Sequence, residues 1–277
     1  MNYYEVIICG IDPVSRDLLM ADLADQGFES FVETDEGFKA YIREADYREE
    51  VLSLMRDLNG RPLETAIRMI PEENWNALWE KQFEAVVIED FCCIRAPFHP
   101  KPGDVKFDLM IEPKMSFGTG HHETTSMMVS LMKDMDFINK SVLDMGCGTG
   151  ILAILAVKMG AGAVSAVDID EWAYQNTLEN CERNKTGSVR VIQGGAEVLG
   201  KELKLPFDII LANINRNILL ADMAAYAGVL KKGGSLVLSG FYTADMSMIL
   251  ESAGQFSLYP LRSMELNDWT AQVLIKK

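Results

Sequence analysis

Length, composition and charge limit what this chain can be. Its 277 residues suffice for one large domain or two modest ones, and its 48% apolar and 24% charged residues are ordinary for a globular protein. The net charge of −15 argues against a broad nucleic-acid-binding surface, which would be basic, but would suit a basic protein partner. Because no apolar run reaches membrane-span length, no basic leader opens the chain and the cysteines lack CxxC spacing, we expect a cytoplasmic protein without a membrane partner.

The first 70 residues predict a small α+β sandwich of the ferredoxin-like type. Four segments have strand-like composition, namely YEVIICG, FESFVET, FKAYIRE and ETAIRMI. A helix is predicted over Val14–Gln26, and a second helix over YREEVLSLMRDLNG, ending at Gly60. Residues 71–113, rich in proline and aromatic side chains, are interpreted as a linker that contains one short helix and one or two strands.

A different pattern predicts a second domain over residues 114–277. From Ser141 onward, buried strand patterns alternate with helices, which is typical of a doubly wound parallel sheet. The predicted helices of this alternation are Ile151–Met159, Ala173–Asn184, Ile218–Tyr226 and Ala244–Ala253. No helix separates the final two strand patterns, FSLYPLRSMEL and TAQVLIKK, so the sheet should end in an antiparallel hairpin.

A glycine loop follows the first strand of this sheet, in the sequence SVLDMGCGTG. Gly146 and Gly148 would let the backbone turn sharply and approach a ligand closely. Asp168 ends the next strand, where an acidic side chain is placed to accept hydrogen bonds from both hydroxyls of a ribose. The pattern therefore predicts a nucleoside at the carboxyl edge of the sheet.

The spacing of the loop favours S-adenosylmethionine as the ligand. Its G-x-G-x-G spacing is one position shorter than the dinucleotide pattern G-x-G-x-x-G, and no lysine-serine or lysine-threonine pair follows it. Asp144, directly before the loop, would repel phosphate but favour an ammonium group. Two alternatives remain: an NAD-dependent oxidoreductase, and a non-catalytic module that only binds S-adenosylmethionine.

A second glycine-rich stretch, MSFGTGHHETTSMM, lies one helix earlier in the chain. We expect Phe117, Gly118 and Gly120 to fold over the cofactor, with Thr125 in hydrogen-bonding reach of it. The helix that follows, His122–Met135, should turn its apolar face inward, with Met128, Leu131, Met132 and Met135 buried. An equally open alternative is an N-capped core helix preceded by a glycine hinge.

The stretches EPKMSFGTGHHETT, LDMGCGTGILAI, VDIDEWA and LANI together resemble the ribosomal protein L11 methyltransferase family. The resemblance covers essentially the whole chain. It implies a seven-stranded class I methyltransferase sheet and an N-terminal ferredoxin-like domain that captures the ribosomal protein. It also implies cofactor binding through Thr125, Gly146, Asp168 and Asn213. His121 and Glu123 depart from the small residue and proline that relatives often carry at these positions.

Asn213 ends the strand FDIILAN and is the predicted catalytic residue. It is followed by Ile214-Asn215, without the prolines of the Asn-Pro-Pro-aromatic motif found in methyltransferases that act on amides or base amines. An aliphatic amine therefore fits better, and Asn213 would accept its N–H and orient its lone pair without a strong base. The predicted acceptors are lysine side chains of L11, with its N-terminal α-amine as a further candidate; another protein or a small-molecule amine is the alternative.

Two other groups receive structural interpretations. His121, His122 and Glu123 are adjacent, so their side chains should diverge, and no metal site is predicted there. Cys147 lies inside the glycine loop and is interpreted as a small buried residue rather than a nucleophile.

Overall fold

The computed structural model describes residues 2–34, 37–48, 50–51, 56, 60–70, 84–112, 114, 118, 120–203 and 206–277. Residue contacts divide the chain into two compact units, Met1–Phe83 and Glu84–Lys277. Within the described part of the chain, every helix is too short or too polar to span a membrane.

The first unit is a four-stranded sheet with a helix on one face. Its elements are β1 (Tyr3–Cys9), α1 (Pro13–Asp25), β2 (Ser30–Thr34), β3 (Gly37–Arg43) and β4 (Glu64–Ile70). The strands pair antiparallel in the order β2-β3-β1-β4, which is the order expected of the predicted ferredoxin-like sandwich. Glu50 and Val51 of the predicted second helix are helical, and most of the remainder lies outside the described residues.

Alternation of side chains along the strands creates the core of this unit. Because successive residues of a strand point to opposite faces, every second residue of β1 and β3 faces α1. The buried cluster consists of Val6, Ile8, Leu19, Leu23, Phe28, Phe38, Ala40 and Ile42.

The second unit begins with a three-stranded sheet of β5 (Val86–Ile88), β6 (Cys92–Arg95) and β7 (Phe107–Met110). These strands fall within the segment that the sequence pattern indicated as a linker, and residues 71–83 of that segment lie outside the described residues. Arg95, which is 7% exposed, forms a two-pronged ion pair with Asp108, with nitrogen–oxygen distances of 2.8 and 3.0 Å. This pair ties β6 to β7.

The main sheet has seven strands in the order β10-β9-β8-β11-β12-β14-β13. They are β8 (Ser141–Met145), β9 (Ala163–Asp168), β10 (Arg190–Gln193), β11 (Phe207–Asn213), β12 (Leu230–Tyr242), β13 (Leu258–Leu266) and β14 (Trp269–Lys276). The first five run parallel, whereas β14 pairs antiparallel with both β12 and β13. The predicted parallel sheet with a terminal antiparallel hairpin is confirmed.

Helices cover both faces of this sheet. They are α2 (Glu123–Lys133), α3 (Ile151–Lys158), α4 (Glu171–Arg183), α5 (Arg216–Val229) and α6 (Met246–Gly254). Val142 of β8 packs in the cluster with α2 and α3, while its neighbour Leu143 packs in the opposite cluster with α5 and α6. The strand order reverses between β8 and β11, and such a switch point leaves a crevice at the carboxyl ends of the strands.

A charged cluster ties three strands together at the opposite, amino-end edge of the sheet. Asp208 of β11 accepts hydrogen bonds of 2.8 Å from the Ser141 N–H, the Ser141 hydroxyl and the Lys231 ammonium. Burial would raise the pKa of the Asp208 carboxyl, but the Lys231 and Ser141 donors outweigh it and lower the pKa to about 2. The ionised carboxylate is therefore stabilised in the folded state.

We expect Asp208→Asn to lower the free energy of unfolding by about 1–2 kcal/mol at pH 7. Because the folded-state pKa lies below the unfolded value of about 3.9, the contribution is present above pH 4 and is lost as pH falls toward 2. Urea unfolding of both proteins between pH 2 and pH 7 measures the difference, with the exposed Asp104→Asn as control. If the difference in free energy of unfolding between the parent and Asp208→Asn did not change with pH, the ionised Asp208 carboxylate would not be its source.

Candidate functional site

An open cavity of about 770 Å³ lies at the carboxyl edge of the main sheet. All the described residues that line it belong to the second unit. Four residues predicted from the sequence are among them: Gly146, Gly148, Asp168 and Asn213. The cavity thus occupies the crevice expected at the switch point between β8 and β11.

The loop after β8 contributes Gly146 and Gly148 to the lining of the cavity. Gly146 and Gly148 have φ values of +67° and +55°, a region that favours glycine. A Cβ added to Gly146 would lie 2.2 Å from Cγ2 of Ile214, so a side chain there would displace a residue of the cavity wall. Both glycines therefore suit the turn, and Gly146 also leaves no space for a side chain beside Ile214.

Asp168 is fixed at the end of β9 by two backbone donors. Its Oδ2 accepts the Gly148 N–H at 2.8 Å, and its Oδ1 accepts the Asp170 N–H at 3.0 Å. A carboxylate has about four lone-pair sites, so the bonds leave capacity for two further donors. Next to it, Ile169 and Trp172 line the cavity while remaining 76% and 77% exposed. The sequence analysis missed both, although large apolar side chains in the polar stretch VDIDEWA were a usable signal.

Asp144 lies elsewhere than its predicted place against the cofactor. It is 1% exposed, is not among the cavity-lining residues, and its Oδ2 accepts the Ala153 N–H in the first turn of α3 at 3.0 Å. Strand alternation explains this, because Asp144 shares with Val142 the face of β8 that packs toward α3. Burial raises the pKa of the Asp144 carboxyl to about 7; the Ala153 N–H opposes that shift and the Asp168 charge adds to it.

The two glycine loops are joined by a hydrogen bond. The Thr149 hydroxyl donates to the carbonyl oxygen of Gly118 at 2.6 Å, and Gly118 has a φ of +102°. Gly120, with a φ of +92°, packs so tightly that an added Cβ would lie 2.8 Å from Cδ1 of Ile94. Neither glycine is among the cavity-lining residues, and Phe117 lies outside the described residues.

The side chains of the HHE sequence have three different hydrogen-bond partners, although His122 Nδ1 and Glu123 Oε2 lie 3.8 Å apart. His121 Nε2 lies 2.9 Å from the Glu84 carbonyl oxygen, and His122 caps α2 by accepting the Thr124 N–H through Nδ1. Glu123 accepts a hydrogen bond from the Asn267 amide, which lowers the pKa of its carboxyl. In the described portion of the chain, no three His, Cys, Asp or Glu side chains are grouped as metal ligands.

The helix after the first glycine loop is an amphipathic core helix. The sequence predicted it over His122–Met135, and it spans Glu123–Lys133 with His122 as its cap. Met128, Leu131 and Met132 are buried as expected, and Met135 packs partly buried against the same core. The helix is thus a capped core helix and also reaches the cavity, because its cap His122 and its first-turn residue Thr124 are cavity-lining residues.

Asn213 carries a buried acceptor without a hydrogen bond from any described residue. Its Nδ2 donates to the Thr125 hydroxyl at 3.3 Å, while its buried Oδ1 has no partner. A buried unsatisfied acceptor costs about 1–3 kcal/mol, so native proteins retain few of them. Asn213 is also among the residues that line the cavity. Thr125 itself is fully buried and is not among the lining residues.

An aromatic wall, defined here as Trp269 with Tyr242 and His122, contributes the rings of Trp269 and His122 to the cavity lining. The ring centroid of Trp269 lies 4.2 Å from that of Tyr242 and 4.7 Å from that of His122, and the contact with His122 is edge-on. The hairpin turn at Asn267 and Asp268, both with positive φ, places Trp269 there. Sequence reasoning missed Trp269 because it lies far along the chain from every recognised motif.

Carboxylates give the cavity a negative lining. Asp168, Asp170, Glu197 and Asp222 all contribute to its wall, which favours a cationic ligand. Burial raises the pKa of the Asp222 carboxyl, with the nearby Glu197 charge adding to the shift, whereas the Gly195 N–H lowers the pKa of Glu197. Glu197 and Asp222 were not predicted from the sequence.

Cys147 is a buried structural residue, as predicted. Its sulfur lies 3.3 Å from the Thr177 hydroxyl, and it is 5% exposed. Burial raises the pKa of its thiol well above the ordinary value, so the nucleophilic thiolate is disfavoured.

We expect Gly146→Ala to lower the free energy of unfolding by about 1–2 kcal/mol, because an alanine is strained at positive φ. Displacement of Ile214 would add to the cost. Gly228→Ala is the matched control: it lies in α5 with open space around its Cβ position and should stabilise by about 0.5–1 kcal/mol. Guanidinium unfolding of both variants measures the contrast; equal stability of Gly146→Ala and the parent would refute the strain argument.

Comparison with known proteins assigns the chain to a family. The family model described as ribosomal protein L11 methyltransferase (PrmA) matches residues 17–277. A ribosomal protein L11 methyltransferase of Porphyromonas gingivalis is 47% identical over 260 residues, covering 92% of this chain and 89% of the relative. One of the same name from Phocaeicola vulgatus is 42% identical over 283 residues, covering 100% of both.

The fold has a counterpart among solved structures. The crystal structure of a ribosomal protein L11 methylase from Lactobacillus delbrueckii subsp. bulgaricus is similar with a TM-score of 0.63. Identity is 24%, and the match covers 70% of this chain and 100% of that one, so it supports the fold alone. With the family model and the relatives taken together, the chain belongs to the ribosomal protein L11 methyltransferase family and is a methyltransferase.

Proposed function

We propose that this protein transfers methyl groups from S-adenosylmethionine to amines of ribosomal protein L11. The acceptors are lysine side chains, with the N-terminal α-amine as a further candidate. The names of its relatives support the substrate, and the observation that carries the chemistry is Asn213, a residue with an unpaired amide oxygen, in the wall of a carboxylate-lined cavity. Another protein or a small-molecule amine is the alternative acceptor.

The residues of the cavity fit this cofactor. Asp168 retains lone pairs for the two ribose hydroxyls, and Gly146 and Gly148 place backbone without a side chain in the cavity wall. The negative lining favours a sulfonium and an ammonium group. When bound, the cofactor supplies an electrophilic methyl group. The predicted closure of Phe117, Gly118 and Gly120 over the cofactor remains a proposal.

The acceptor side of the cavity suits an aliphatic amine. A lysine with a pKa of about 10.4 must lose a proton before its lone pair can attack. Asn213 Oδ1 accepts one amine N–H and so aims the lone pair, while the face of Trp269 gives an apolar wall that also attracts a cation. The chain contributes orientation and desolvation, and no strong base is required.

We assign recognition of L11 to residues 1–70 and catalysis to 114–277, while the predicted linker, 71–113, contributes β5, β6 and β7 to the second unit. Support comes from the cavity, whose described lining lies entirely in the second unit, and from the net charge of −15, which suits a basic ribosomal protein. A cytoplasmic location follows from this substrate. The charge also disfavours broad nucleic-acid binding.

The decisive test is incubation with methyl-labelled S-adenosylmethionine and ribosomal proteins from cells that lack this methyltransferase. We expect label on L11, at lysine side chains when the protein is digested and analysed by mass spectrometry. If a different protein were labelled instead, that protein and not L11 would be the methyl acceptor. Tight cofactor binding without any transfer would instead favour a non-catalytic binding module, and tight NAD binding an oxidoreductase.

Asp168→Ala should weaken cofactor binding by about 2–4 kcal/mol, because charge-assisted hydrogen bonds are among the stronger ones. Asp168→Asn, which keeps an acceptor for the backbone donors, should lose part of this affinity. Calorimetric titration with S-adenosylmethionine measures the change. Glu171→Gln is the control, since Glu171 is an exposed carboxylate outside the cavity lining. Unchanged affinity in Asp168→Ala would show that the ribose lies elsewhere.

A fragment that begins at Glu84 should bind S-adenosylmethionine with an affinity near that of the whole chain. It should methylate L11 at least about tenfold less efficiently, equivalent to about 1.4 kcal/mol of lost transition-state binding. Circular dichroism confirms folding of the fragment before kcat/KM is compared. A folded fragment with full activity on intact L11 would remove the recognition role from the first unit.

A further inference from the structure

We infer that Asp222 selects adenine as the base of the cofactor: its carboxylate accepts a hydrogen bond from the exocyclic amino group of the base. This inference rests on the proposed function, in which S-adenosylmethionine occupies the cavity. It adds a specificity-determining residue to the site and names the group of the cofactor that this residue recognises.

The order of the strands along the sheet edge indicates where the base lies. Asp168, the predicted ribose ligand, ends β9, whereas Asn213, the predicted acceptor residue, ends β11 on the other side of β8. In S-adenosylmethionine the base is attached to C1′ of the ribose and the sulfonium group to C5′, so the two extend from the ring in opposite directions. With the sulfonium directed toward Asn213, the base extends past Asp168 toward β10.

The loop after β10 and helix α5 form this end of the cavity. They contribute to its lining the residues Gly194, Gly195, Ala196, Glu197, Ile218 and Asp222. The loop and α5 pack together, because Val198 lies in the same buried cluster as Leu219 and Met223. Ile169 and Ile218 also line the cavity with exposed apolar side chains, which suit the apolar faces of a purine ring.

The two carboxylates at this end differ in how their oxygens are used. Glu197 is exposed, and its Oε1 accepts the N–H of Gly195 at 2.8 Å, so this side chain is folded back onto its own loop. Asp222 is half-buried, and its Oδ2 accepts the hydroxyl of Tyr226 at 3.2 Å; no other described residue donates to this carboxylate. Because a carboxylate offers about four lone-pair sites, Asp222 retains capacity for a ligand donor.

The surroundings of Asp222 favour a bound donor. Tyr226, one turn further along α5, is 0% exposed, and burial together with the Asp222 charge raises the pKa of its phenol, so its hydroxyl stays protonated and donates. Burial raises the pKa of the Asp222 carboxyl, and the nearby Glu197 charge adds to the shift. An amino group that donates to Asp222 would offset both the loss of hydration and this repulsion.

Adenine carries the group that this carboxylate requires. Its amino group is a hydrogen-bond donor, whereas its ring nitrogens N1, N3 and N7 are acceptors only. A carboxylate is an acceptor only, so it attracts the amino group and repels the lone pair of a ring nitrogen or a carbonyl oxygen. A site that bonds an N–H of its ligand rejects an analogue that lacks it, because the buried partner is then left unpaired.

The test uses two ligands that cannot transfer a methyl group. They are S-adenosylhomocysteine and its 6-deamino analogue, in which hydrogen replaces the amino group of the base. Calorimetry gives the Kd of each for the unmodified protein, Asp222→Ala and Asp222→Asn, the last of which keeps an acceptor for Tyr226. Glu171→Gln removes an exposed charge outside the cavity lining and serves as control, and Glu197→Gln tests the other carboxylate at this end.

We expect the unmodified protein to bind S-adenosylhomocysteine at least about tenfold more tightly than the deamino analogue. In Asp222→Ala this ratio of Kd values should fall below about threefold, because the amino group has lost its partner. Asp222→Asn should give an intermediate ratio, since a neutral amide oxygen is a weaker acceptor than a carboxylate. Glu171→Gln and Glu197→Gln should keep the ratio of the unmodified protein.

Four results would overturn the inference. They are a ratio near one in the unmodified protein, an undiminished ratio in Asp222→Ala, an equal loss of affinity for both ligands in Asp222→Ala, and a loss of the ratio in Glu197→Gln, which would assign the amino group to Glu197. If S-adenosylhomocysteine did not bind the unmodified protein at all, the proposed function itself would fall, and the inference with it.

Discussion

Strand β8 pairs in parallel with β9 on one side and with β11 on the other, and this arrangement determines where the chemistry can occur. Parallel pairing aligns the carboxyl ends of the three strands at one edge. The glycine loop after β8, Asp168 at the end of β9 and Asn213 at the end of β11 therefore meet around one cavity. The Gly148 N–H bond to Asp168 then holds the loop against the neighbouring strand, so one contact fixes both the turn and the Asp168 carboxylate.

The other elements support that edge from several directions. Asn180 of α4 accepts the Glu112 N–H through its amide oxygen and donates to the Thr149 carbonyl through its amide nitrogen. Asn184 similarly bonds both the N–H and the carbonyl of Met110. The chain leading to the first glycine loop is thus attached to the second loop through α4. The helix and strand between the two glycine loops return the chain to the same edge, where the Thr149 hydroxyl bonds the Gly118 carbonyl.

Much of this fold could be predicted from the sequence, because strand and helix periodicities are local properties. The α3, α4 and α5 patterns, the terminal hairpin and the location of Asp168 and Asn213 follow from where buried strands end. The direction in which a side chain points is harder to predict from the sequence. Asp144 was placed beside the cofactor by its proximity in sequence, yet strand alternation turns it toward α3. Trp269 and Asp222 reach the cavity only through the tertiary fold, and nothing near them in sequence identifies a ligand site.

The hairpin has a consequence for the order in which the protein acquires its structure. Strand β14 follows every other strand of the main sheet in sequence, yet it lies between β12 and β13 and carries Trp269. Until it docks, β12 presents an unpaired edge, the type of edge that invites pairing with another chain. During synthesis on the ribosome, the sheet and the aromatic wall can therefore be completed only after residues 269–276 have emerged. The interval before they emerge is when an unfinished chain is most exposed to aggregation and to chaperones.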